Sequence, residues 1–118
     1  MSIRDTPDMF RHRPPKRRHP ERDAQKAILT YLKLKGCLVA ITDSGAMHRA
    51  GRYGGDTVPE GWPDLTCCMP DGRFLGVEVK APKGTQSLMQ KICQQQIETR
   101  GGVYILAYSI DDLRKVIP

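Results

Sequence analysis

The chain has 118 residues, of which 39% are hydrophobic and 27% charged. These are the proportions of a globular domain with one modest core. No apolar run approaches the ~18 residues of a membrane span, and the opening MSIRDTPDMFRHR lacks the apolar stretch of a secretory signal. An intracellular, cytoplasmic protein with no membrane partner is therefore expected. The net charge of +6 is unevenly placed: residues 1–35 hold ten Lys or Arg against four acids, and residues 36–118 hold nine of each. A basic segment beside a neutral body is the electrostatic footprint of a nucleic-acid binder. The four cysteines form no CxxC pair, and no His sits at zinc-finger spacing from them, so a structural zinc is not expected.

In chain order, residues 1–19 read as a flexible arm, because the prolines and clustered charge of RHRPPKRRHP (11–20) cannot build a core. Lys16, Arg17 and Arg18 are its candidate phosphate contacts. Residues 20–118 form the domain. ERDAQKAILTYLKLKG (21–36) predicts a helix, with acids in its first turn, an apolar face of Ala24, Ala27, Ile28, Tyr31 and Leu32, and Gly36 as its stop. Glu21 falls on that same face by spacing, an unusual place for a carboxylate. CLVAIT (37–42) is a strand. The glycine-rich stretch 43–61 is a long aperiodic loop, of the kind that more often carries function than not, and its His48, Arg49 and Arg52 are suited to phosphates. DLTCCM (64–69), the turn PDG (70–72) and RFLGVEVK (73–80) make a hairpin. SLMQKICQQQIETR (87–100) is a second helix, capped by Ser87, with an apolar stripe of Met89, Ile92, Cys93 and Ile97. VYILAY (103–108) is a buried strand, and Ser109 caps a last short helix. The sum is a small α/β domain with a mixed sheet of about four strands. The second helix joins two parallel neighbours.

Chemistry gathers in GWPDLTCCMPDGRFLGVEVK (61–80). On the returning strand, alternation puts Val77 and Val79 on one face and Glu78 and Lys80 on the other, with the last two ~7 Å apart. The hairpin brings Asp64 back to the same end. Two converging carboxylates repel each other unless a cation lies between them, and hard oxygen ligands suit Mg²⁺ or Mn²⁺. A lysine beside such a site can orient a water or neutralise developing charge. On spacing alone the alternative is an ordinary strand with a solvated face.

Taken in order, Glu21, Pro63–Asp64, Glu78-Val79-Lys80, Gln90 and Gly101–Gly102 resemble the pattern of the VRR-NUC (virus-type replication-repair nuclease) family. That family belongs to the PD-(D/E)xK nuclease superfamily, and the short phage-like forms are the most similar. The likeness spans roughly residues 21–112. It implies a restriction-endonuclease-like fold and Mg²⁺-dependent (or Mn²⁺-dependent) hydrolysis of DNA phosphodiesters, selective for branched DNA such as four-way junctions or flaps. It implies Asp64 and Glu78 as metal ligands, with the Val79 carbonyl completing the set, and Lys80 as catalytic lysine. Gln90 would lie near the site, and Glu21 would reach the metal through water. A homodimer and a replication or repair partner are further implications. The rival readings are a nucleic-acid-binding protein without catalysis and a restriction-like nuclease of the same superfamily. Trp62 is either a wall of the cleft or half-buried packing.

Overall fold

A computed structural model of the protein describes residues 20–43 and 58–118. The expected arm, with Lys16, Arg17 and Arg18, lies outside the described residues, as do His48, Arg49 and Arg52. Helix α1 (Pro20–Leu34) starts with Glu21 and Asp23 in its first turn, where they complement the helix dipole. It ends at Gly36 (φ 86°), whose left-handed conformation suits glycine. Strand β1 (Leu38–Ile41) follows, then β2 (Leu65–Cys68) and β3 (Phe74–Val79). Helix α2 (Leu88–Thr99), strand β4 (Val103–Ala107) and helix α3 (Ile110–Arg114) complete the described chain.

The strand order is β1-β2-β3-β4. The first two pairings are antiparallel, and β3 pairs with β4 in parallel, Glu78 opposite Leu106. The β2–β3 hairpin closes as its PDG turn predicts: Gly72 N–H donates to the Met69 carbonyl (2.8 Å) and Met69 N–H to that of Arg73 (2.9 Å). Ser87 and Ser109 both cap their helices through reciprocal side-chain bonds.

One face of the sheet carries the apolar core. Leu65, Cys67, Leu75, Val77, Val79, Ile105 and Ala107 pack there against Ile28, Leu32 and Leu113, and α1 and α3 cover them. The opposite face is covered by α2 only in part. The predicted apolar stripe of that helix is therefore corrected: only Ile97 is buried, Cys93 is half-buried, and Met89 and Ile92 are exposed. The physical reason is geometric. Strand β3 presents Gly76 and Glu78 to this helix, so a short buried contact at Ile97 replaces a full apolar seam. Strand β3 is also interior, not an edge, which removes the solvated-face reading of its acid.

Candidate active site

The Pro63–Asp64 pair is held from three directions. Gly61 adopts φ 83°, and a Cβ there would lie 2.4 Å from the Met89 carbonyl oxygen, so only glycine lets this loop touch the first turn of α2. Gly76 plays the matching role on β3, since its Cβ would lie 2.7 Å from the Pro63 ring. On the third side runs a chain of hydrogen bonds. The Trp62 indole N–H donates to the Thr66 hydroxyl (2.7 Å), and the Thr66 and Thr42 hydroxyls share a bond of 2.9 Å. The Thr42 hydroxyl donates to the Pro63 carbonyl (2.9 Å). Because Thr42 spends its one proton on Pro63, Thr66 must be the donor between the two threonines. Trp62 thus belongs to the scaffold of the pair as well as packing edge-to-face on Phe74. The Asp64 carboxylate then accepts from the Val79 N–H at 2.8 Å, which ties the end of β2 to the end of β3.

Glu78, Lys80 and Gln90 meet on the α2 side of β3. Glu78 is 2% exposed. Its Oε2 accepts from Gln90 Nε2 (3.1 Å) and lies 3.5 Å from Lys80 Nζ. Its Oε1 is buried with no hydrogen-bond partner. Lys80 Nζ donates to Gln90 Oε1 at 2.9 Å. The same oxygen accepts the Ser87 N–H (2.8 Å), while Ser87 Oγ accepts the Gln90 N–H (3.1 Å). Two donors therefore fix which end of the Gln90 amide is oxygen, and its NH₂ faces Glu78. Gln90 both caps α2 and joins Lys80 to Glu78. Gln86 serves the other side of the helix. It donates to Gln94 and to the Tyr104 hydroxyl, so the glutamine-rich helix is a structured polar face.

Burial pushes the Glu78 carboxyl up to about 8, helped by the Asp64 charge and opposed by Lys80. Asp64 is raised as well, first by burial, against the pull of the Val79 N–H. The Asp64 charge is felt at Glu78, so the two carboxyls share one site. Without a proton or a cation the pair is unstable. The charges of Asp43 and Glu21 add to this pressure on Asp64. Glu21 is exposed on the first turn of α1, not inward as its spacing predicts; the burial of that helix face begins with Ala24 and is complete at Ile28. It faces the site through its charge. Asp43 is a half-buried residue that neither spacing nor motif singles out in the sequence. The one signal for it is its place directly after β1, at the strand end that also holds Thr42.

The donor set fits a hard divalent cation. Asp64 and Glu78 Oε1 supply carboxylate oxygens, one of them with no other use in the structure. A strand residue aims its N–H and C=O to the same side, so the Val79 carbonyl faces the side of Asp64. Among the described residues no group of three or more His, Cys, Asp or Glu could hold a metal ion. Two carboxylates suffice for Mg²⁺, which keeps several waters. A groove of about 660 Å³ lies along α2, lined by Trp62, Phe74, Met89, Ile92 and Ile97 among others, with neither Asp64 nor Glu78 in its wall.

No family model and no curated protein matches the sequence. A solved structure described as a VRR_NUC domain aligns with 25% identity and a TM-score of 0.65, over 85% of this chain and 96% of the other. Its similarity covers the mixed sheet and flanking helices, which are restriction-endonuclease-like. In this fold Pro63–Asp64, Glu78-Val79-Lys80 and Gln90 gather at one end of β3, and the structural match to a VRR_NUC domain supports the likeness to the VRR-NUC family that these residues carry.

Proposed function

We propose that the protein is an Mg²⁺- or Mn²⁺-dependent endonuclease that hydrolyses DNA phosphodiesters, with branched DNA as its preferred substrate. The observation that carries this reading is the buried, partnerless Glu78 Oε1 beside Asp64, with Lys80 tethered 3.5 Å from Oε2 of the same carboxylate. A polar atom left unsatisfied in the interior costs about 1–3 kcal/mol, and a divalent cation would satisfy it. Asp64, Glu78 and the Val79 carbonyl would hold that cation. When bound, such an ion activates water and offsets the charge that develops on an attacked phosphate.

The chain's own residues do the remaining work. Lys80 is held by Gln90 and Glu78, so its ammonium is oriented before substrate arrives. It would donate to a phosphate oxygen or to the attacking water as charge builds. Gln90 keeps Lys80 and Glu78 in register, and the rigid α2 cap keeps Gln90 in place. The buried β3 excludes water from the inner side of the carboxylates.

Two-strand incision at a junction needs two sites, and a second copy of this chain would supply the other. Support for that partner comes from the α2 groove. Its lining includes Glu60, next to Gly61 at the N-terminal end of the helix, and Arg100 at the C-terminal end. Met89 and Ile92 are exposed between them. Two helices packed antiparallel about a two-fold axis would pair Glu60 of one copy with Arg100 of the other. Replacing Ile92 with Lys should convert a dimer to a monomer by sedimentation. An unchanged mass would place the dimer elsewhere or remove it. The substrate claim is tested by incubating labelled linear, flap and four-way DNA with the protein, with and without Mg²⁺ or Mn²⁺. Metal-dependent cutting concentrated at the branch is expected. Equal cutting of linear duplex would remove the selectivity, and no cutting would remove the enzyme.

A further inference from the structure

Lys83 has φ 67°, the one non-glycine residue with positive φ among the described residues. It is the third residue of the turn Ala81-Pro82-Lys83-Gly84, closed by the Gly84 N–H on the Ala81 carbonyl at 2.8 Å. Pro at the second position and positive φ at the third are the pattern of a type II turn, whose third position favours glycine. The chain instead places its glycine one residue later, where a Cβ would lie 2.9 Å from the Ala81 oxygen. A lysine there is thus kept against a local preference.

Packing does not account for it. The Lys83 side chain is exposed, and among the described residues it makes no hydrogen bond or ion pair. The turn is tied to the end of β4, because the Tyr108 hydroxyl donates to the Gly84 carbonyl at 2.8 Å. It also folds back on the site: the Cβ that Gly84 lacks would sit 3.4 Å from the Lys80 Cβ. Strain that persists because its surroundings enforce it concentrates at functional positions. The electrostatics ask for such a residue. Asp64 and Glu78 repel a phosphate chain, and Lys80 is already engaged with Glu78 and Gln90.

We propose that Lys83 is a substrate-positioning residue, whose ammonium grips a backbone phosphate of the nucleic-acid strand adjacent to the phosphate presented to Lys80. This rests on the nuclease reading above. The left-handed turn holds the base of the side chain beside the site, so the free ammonium samples the space next to Lys80.

Three variants test it, each assayed for thermal melting and for cleavage of a labelled four-way DNA in Mg²⁺ at KCl from about 50 to 200 mM. Lys83→Gly removes both strain and charge. It should raise the melting midpoint by roughly 4 °C while raising KM for DNA. The slope of log KM against log salt should fall by about 0.9, the value of one lost phosphate contact. Lys83→Ala keeps the strain and should show the KM and salt effects without the gain in melting temperature. Lys83→Arg keeps the charge and should retain the native slope. If the wild type cleaves but Lys83→Gly and Lys83→Ala keep the native KM and salt slope, Lys83 grips nothing and the proposal is overturned. If the wild type itself does not cleave, the fault lies with the nuclease reading instead.

Discussion

The two faces of β3 are both buried, yet they are built on opposite principles. Toward α1 and α3, Leu75, Val77 and Val79 have no exposure at all and touch apolar side chains. Toward α2, the same strand offers Gly76, shaped to receive Pro63, and Glu78, whose carboxylate is only half satisfied. The first face stabilises the domain and the second destabilises it. A carboxyl whose burial raises its pKa to about 8 favours the folded state only while it carries a proton. The comparison teaches that the domain holds a strained site rigid by attaching it to the back of its best-packed strand.

Breaking the apolar face should have the largest effect on stability. Leu75→Ala leaves a cavity in the core, and a loss of about 2–5 kcal/mol is expected in urea unfolding. Changing the polar face should do the reverse. Glu78→Gln removes a buried charge but keeps the shape and the Gln90 neighbour, and in metal-free buffer at pH 8 a gain of about 1–3 kcal/mol is expected. Its pH dependence sharpens the point. Between the ordinary carboxylate range and about 8, the folded state binds the Glu78 proton that the unfolded state has released. Folding stability of the metal-free protein should therefore fall as pH rises through that window and level off above it. In Glu78→Gln the slope should shrink to the part due to Asp64, and an unchanged slope would mean that Glu78 is not the buried acid described above. The smallest effect is at Ser87. Ser87→Ala removes the bond to the Gln90 N–H, and a loss of about 1 kcal/mol is expected for the cap. Because the same turn positions Gln90, cleavage should fall more than stability does. Equal and minor losses in both would confine Gln90 to capping.

Much of this contrast was legible in the sequence. Alternation in VEVK separates Val77 and Val79 from Glu78 and Lys80, and the PDG turn brings Asp64 back to them. The helix after β3 also points to a parallel neighbour, and β4 pairs there as expected, which makes β3 interior. What alternation does not carry is the identity of the covering layer, so the burial of Glu78 was not readable. The exposed position of Glu21 likewise follows from how far along α1 its covered face begins, which helical periodicity does not fix. The clearance that Gly61 and Gly76 give to Met89 and Pro63 appears only when the elements are packed. The stripe of α2 misled because apolar spacing reports an amphipathic helix without saying what its apolar side faces.

Cleavage of four-way DNA by the wild type, by Glu78→Gln and by Lys80→Ala, in Mg²⁺ and again in EDTA, tests the central claim most directly. The wild type should cut in Mg²⁺ alone. Both variants should remain folded by circular dichroism and lose cleavage by on the order of 10³-fold or more. Wild-type activity in EDTA, or full activity in folded Glu78→Gln or Lys80→Ala, would contradict a metal-dependent site built on β3.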